Sequence, residues 1–134
     1  MERSPSLEKE LARLYEAFSQ GDANLMEELT SSREGVVFIG TDPDEWFEDV
    51  SGIRALLEAQ AGAGIAVVHG DPRAFEEGTV GWVADRGHFE LPDGTKVPFR
   101  ITAVFHRENG TWKLVQEHAS VAVSNEEAIG QELG

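Results

Sequence analysis

Apolar residues recur at helical spacing in the first part of this chain and alternate with polar ones in the second. Leu7, Leu11, Leu14, Tyr15 and Phe18 fall three or four apart, which predicts an amphipathic helix through Gln20. Ser4 and Pro5 are suited to its cap and first turn, and Gly21 to its stop. Asp22 opens a second helix that carries Leu25, Met26 and Leu29. Val36 to Thr41 is a short apolar run closed by Asp42-Pro43, which predicts a buried strand and a turn. An acidic segment, Asp44 to Val50, holds Trp46 and Phe47. Ser51 is read as the cap of a third helix, with Ile53, Leu56 and Leu57 on one face, running out in Ala61-Gly62-Ala63-Gly64.

From Ile65 the period changes to that of strands. Ile65 to Gly70 is a candidate strand, Asp71-Pro72 a bend, and Arg73 to Glu76 a further strand or extension. Val80 to Leu91 is a long strand, followed by the turn Pro92-Asp93-Gly94. Val97 to Arg107 and Thr111 to Val123 flank Asn109-Gly110, a strong hairpin signal. Ser124 to Glu127 has capping-box spacing and predicts a short final helix. Segregated helices and hairpins indicate an α+β fold. The late connections are too short for crossover helices, so those strands pair antiparallel. The expected architecture is a single domain, residues 1–134: a cone-shaped, curved antiparallel sheet with the N-terminal helices on its concave face.

Composition narrows the function. The formal net charge of −14 argues against nucleic acid or an anionic membrane surface as a partner, since both need clustered Lys and Arg. No cysteine is present, which removes disulfides, thiolate metal sites and cysteine nucleophiles together. Glu2, Arg3 and Pro5 do not form the start of a signal peptide, and no apolar run is long enough to cross a bilayer. These features suit the cytoplasm. His69, His88, His106 and His118 fall on separate predicted strands without ligand-like spacing, so neither a metal nor another cofactor is expected.

The order of elements resembles the nuclear transport factor 2-like (cystatin-like fold) superfamily, and within it the SnoaL-like and ketosteroid-isomerase-like branch. The resemblance runs from Leu7 to Val123. It rests on the Gln20-Gly21-Asp22 break, the Val36 to Phe47 segment, Ser51-Gly52-Ile53-Arg54, Arg100-Ile101-Thr102, Gly110-Thr111-Trp112 and His118-Ala119-Ser120. It implies a conical pocket and a homodimer formed through the outer sheet face; on this chain the outer residues of the last strand, Val115, Ala119 and Val121, are the candidate contact. One activity is not implied, because this fold carries isomerases, cyclases, dehydratases and non-catalytic modules. Ketosteroid isomerases use a carboxylate base with a tyrosine and a protonated acid as donors. Here the single tyrosine, Tyr15, falls one position from the expected place, the donor-acid position falls near Thr102, and Asp42 lies in the region of the base. The full constellation is absent, so steroid isomerisation is not carried over.

The polar residues of the last hairpin are unusual for a strand that only packs. Arg100, Thr102, Gln116, His118 and Ser120 are threaded between apolar neighbours, as in an apolar cavity with a few placed polar groups. If the last strand has no bulge, Trp112, Leu114, Gln116, His118 and Ser120 share one face. His118 is then a candidate acid–base group, with Asp85 or Asp42 as carboxylate partner. A buried histidine bonded within the sheet explains the same residue without chemistry. Trp46 and Trp82 are candidate stacking surfaces for a flat ligand, and core packing accounts for them equally well. Arg100 depends on register: a two- or four-residue connection sets Ile101 opposite His118, and a three-residue one sets Arg100 there. Inside, Arg100 needs a carboxylate such as Asp85 or Glu117; outside, it braces the sheet. Asp85 and His88 lie three apart and point to opposite faces. The expected ligand is a small, largely apolar metabolite, handled by an isomerase, cyclase or dehydratase; the alternatives are a ligand-binding or dimerisation module without chemistry.

Overall fold

The computed structural model describes residues 1–132. Its elements are β1 (Glu2–Arg3), α1 (Pro5–Gln20), α2 (Ala23–Leu29), β2 (Val37–Ile39), β3 (Trp46–Phe47), α3 (Val50–Gln60), β4 (Ala66–Val68), β5 (Arg73–Glu77), β6 (Val80–Glu90), β7 (Lys96–Glu108), β8 (Thr111–Ser120) and α4 (Asn125–Ile129). The strands form one curved sheet in the order β1-β5-β6-β7-β8-β2-β3, with β4 also paired to β6. This is the expected α+β fold.

α1 buries Leu7, Leu11, Leu14, Tyr15 and Ala17, the stripe its spacing predicts. Burying each of its three leucines contributes roughly 1.5–3 kcal/mol. Ser4 caps the helix by accepting from the Leu7 N–H at 3.3 Å, and Gly21 ends it in the left-handed conformation with φ of 62°. These leucines join Phe38, Val83, Phe105 and Leu114 from the sheet in one core. The helices thus cover one face of the sheet, and the opposite face of β6, β7 and β8 carries the exposed alternate residues.

Four local features depart from the sequence reading. β1 pairs antiparallel with β5, although two residues are too few to show alternation. The cap of α3 is Asp49, not Ser51: its Oδ1 accepts from the Ser51 and Gly52 N–H groups at 3.0 and 3.3 Å. β2 lies parallel to β8, so the sheet is antiparallel apart from that ladder. The fourth feature is a β-bulge. The Asn109-Gly110 turn pairs Glu108 with Thr111 and Arg107 with Trp112, yet the register shifts between Val104, opposite Gln116, and Phe105, opposite Leu114. Val115 is the extra residue.

Candidate functional site

The bulge decides which side chains of β8 face the helices. Before it, Trp112 and Leu114 point inward; after it, Glu117 and Ala119 do. Gln116 and His118 are exposed on the outer face and Ser120 is half-exposed there. The partners across the ladder are Val104, Thr102 and Arg100, so Thr102 stands opposite His118 and Arg100 opposite Ser120. Neither register anticipated for Arg100 occurs, because a two-residue turn is combined with an added residue further along. The guanidinium of Arg100 is exposed and donates to Ser120 Oγ at 3.4 Å.

Most of the remaining expected site residues lie outside the inner cavity: Asp42, Trp46, His118 and Ser120 border one open cleft, and Arg100 and Thr102 border another with His118 and Ser120. Asp42 is exposed on the turn after β2, where its Oδ1 accepts from the Asp44 N–H at 3.1 Å. Trp46 on β3 is 61% exposed and borders an open surface cleft rather than the inner cavity. Trp82 lies on the outer face between Phe75 and Val104. Asp85 alone of the expected set is buried on the inner side, and its partner is not His118. Its carboxyl accepts from the Tyr15 hydroxyl at 2.8 Å, the Arg86 N–H at 2.8 Å and the Gly70 N–H at 3.1 Å. Only glycine fits at position 70, because a Cβ there would collide with the Arg86 carbonyl.

A cavity of about 110 Å³ opens between the helices and the inner sheet face. Phe18, Ile53, Leu56, Phe89, Phe99, Ile101 and Ala119 form its apolar walls, and Tyr15, Glu45 and Glu117 bring polar groups to it. A second space of about 250 Å³ shares Phe18, Thr41, Gln60, Val67 and Phe89 with the first, and continues to Leu91, Val97 and Val121. Phe99 packs edge-on against Tyr15 at 5.9 Å between centroids and tilted against Phe89 at 4.7 Å. The result is an aromatic-walled, elongated cavity.

Glu117 is the unusual member. It is 4% exposed, and its carboxyl has no hydrogen-bond or ion-pair partner among the described residues. Burial pushes its pKa up to about 8, and the charge of Glu45 adds to the rise. At neutral pH it is a protonated acid facing an apolar space. Glu45 is half-buried on the loop before β3, where its Oε1 accepts from the Asp42 N–H at 2.8 Å. Its chain folds closely over Gly40, where a Cβ would lie 2.9 Å from the Glu45 Cδ. The Tyr15 phenol is held far above its usual range, by burial first and then by the bond to Asp85. Its proton is committed to Asp85, so the hydroxyl oxygen can only accept from a molecule in the cavity.

Sequence reasoning therefore missed Glu117, Glu45 and Tyr15 as cavity groups. Parity counted from Trp112 put Glu117 outside, and a bulge of one residue leaves no clear mark in the sequence. Among the described residues no group of three potential ligands is placed to hold a metal.

This arrangement of helices over a curved sheet, with a cavity between them, is that of the nuclear transport factor 2-like superfamily. The SnoaL-like domain family matches residues 7–124, and the chain belongs to that family. No curated protein matches the chain. Among solved structures it is similar to a nuclear transport factor 2-like protein of unknown function from Pseudomonas putida, at 15% identity and a TM-score of 0.78, covering 90% of this chain and 87% of that one. A second, from Novosphingobium aromaticivorans, is described as having a cystatin-like fold. It is 18% identical with a TM-score of 0.75, over 92% of this chain and 84% of the other. A third, a proposed dehydratase of the same family from Streptomyces avermitilis, is 17% identical with a TM-score of 0.74, over 88% and 94%. At these identities the likeness shows the fold alone. No helix among the described residues is long and apolar enough to cross a membrane.

Proposed function

We propose that this protein binds a small, largely apolar metabolite in the inner cavity and moves a proton on it with Glu117. The observation that carries this reading is the unpartnered, buried carboxyl of Glu117 on the wall of a largely apolar space. A carboxylic acid that titrates near pH 8 can give and take a proton at neutral pH with little penalty either way. Isomerisation, cyclisation and dehydration all need such a group, and the likeness to a proposed dehydratase is in keeping with them. Tyr15, fixed by Asp85, positions the substrate rather than supplying a proton. The cytoplasm is the location we assign, since a cysteine-free chain needs no oxidising compartment.

The test is turnover of a substrate found by screening small carbonyl, hydroxyl and amino compounds. Glu117→Gln should lower kcat at least a hundredfold, and Tyr15→Phe should mainly raise KM. Full turnover by Glu117→Gln would overturn the assignment. The committed Tyr15 proton favours a second reading, ligand binding without chemistry, in which a bound molecule raises Tm and is recovered unchanged.

A homodimer through the outer face belongs to the same proposal. Phe75, Trp82 and Val104 stand side by side there as half-buried cross-strand neighbours. They replace the expected contact set, since Ala119 is buried against the cavity. Light scattering at micromolar concentration should give twice the chain mass; a monomer would refute the dimer.

A further inference from the structure

The ionisable groups that line the cavity are all acids, and its other polar side chains, Thr41 and Gln60, are uncharged. Glu117 and Glu45 bring carboxyls, and the Tyr15 hydroxyl donates its hydrogen bond to Asp85, which leaves its oxygen free only to accept. No Lys, Arg or His lines either part of the cavity. The walls around these acceptors are aromatic, with Phe18, Phe89 and Phe99 presenting ring surfaces to the same space. Acceptors inside an aromatic enclosure suit a cation that donates hydrogen bonds. No group of three potential metal ligands stands here among the described residues, and the aromatic walls suit an organic cation.

We propose that the ligand is a protonated primary amine on a small apolar body, with its ammonium group between Glu117 and Glu45. This rests on the reading that the cavity binds a small molecule, and it names that molecule's class. In the empty cavity Glu117 keeps its proton because nothing compensates its charge. An arriving ammonium supplies that compensation, so Glu117 ionises and the two form a charge-assisted hydrogen bond. Binding thus expels the carboxyl proton to solvent, and charge balances: one cation enters as one proton leaves. The groups facing Glu117 are few. Glu45 lies on the loop before β3, Tyr15 on α1 and, behind it, Asp85 on β6; α3 contributes only uncharged Ile53, Leu56 and Gln60. The −14 charge of the chain also favours approach of a cation.

Isothermal titration of the whole chain with benzylamine, benzyl alcohol and benzoate tests this. Benzylamine should bind at least tenfold more tightly than benzyl alcohol, and benzoate should not bind. In buffers of different ionisation enthalpy at pH 7, benzylamine should release about 0.9 proton per molecule bound, given the Glu117 titration near pH 8. Its affinity should rise about tenfold from pH 6 to pH 7, as the ionised fraction of Glu117 rises. Glu117→Gln should lower benzylamine affinity at least tenfold and abolish the proton release, while a parent-like near-ultraviolet circular dichroism spectrum shows that the variant is folded. Benzyl alcohol binding as tightly as benzylamine, with no proton release, would overturn the amine class and leave the cavity reading standing. Binding of none of the three at millimolar concentration would overturn both.

Discussion

Glu117 and His118 are neighbours in sequence and opposites in environment. His118 carries the side chain usually associated with proton transfer at neutral pH, yet it stands exposed on the outer sheet face opposite Thr102. Glu117 carries an ordinary carboxylic acid, yet its burial moves it to about 8, into the range where proton transfer is useful. The reactivity of a side chain here is set less by its type than by which way the strand turns it.

The sharpest way to break this contrast is to delete Val115. Without the bulge residue, Gln116, His118 and Ser120 would turn toward the helices and Glu117 and Ala119 toward solvent. Inserting polar groups into the core region around Phe38 and Ile101 should cost more than about 5 kcal/mol and abolish cooperative unfolding in urea. A variant that unfolds at the parent midpoint would show that the bulge does not set the facing.

A smaller effect separates the buried acid from its surroundings. Because the native pKa of Glu117 lies above its unfolded value, the folded chain holds a proton that the unfolded chain releases between about pH 4.5 and pH 8. The stability linked to that proton is fully present below the unfolded pKa and is lost as pH rises to about 8, at up to roughly 1.4 kcal/mol per pH unit. Glu117→Gln removes this dependence. Its stability should match the parent near pH 5 and exceed it by on the order of 3 kcal/mol at pH 8, measured by urea unfolding at both. A gap of the same size at both pH values would mean that Glu117 is not neutral when folded. The smallest effect belongs to the outer neighbour: His118→Ala should change stability by no more than about 0.5 kcal/mol and leave ligand affinity unchanged. A tenfold loss of affinity would return His118 to the site.

Much of the fold was legible in the sequence because its signals repeat. The stripe from Leu7 to Phe18 and the alternation through β6 and β7 each contain several agreeing positions. The Asn109-Gly110 turn was legible too, because left-handed Asn-Gly pairs suit two-residue hairpins. The site was not, because it depends on single events. One extra residue at Val115 inverted the parity of Gln116, His118 and Ser120, and with it the roles of Arg100 and Thr102. Asp85 was singled out, but with the wrong partner: its bond to Tyr15 joins residues far apart in the chain, which no local pattern records. Trp46 and Trp82 fell on real strands, yet their exposure depends on which face the helices cover.

The parallel pairing of β2 with β8 bears on how the molecule comes into being. Phe38, from the first third of the chain, sits beside Glu117, from the last. Such a ladder closes a large loop and forms late, after the hairpins of β6, β7 and β8 have assembled from local contacts. During synthesis, the early helices and β2 must wait for β8 to emerge. Until then the wall that carries Glu117 is missing, so the growing chain has no chamber in which to hold a metabolite.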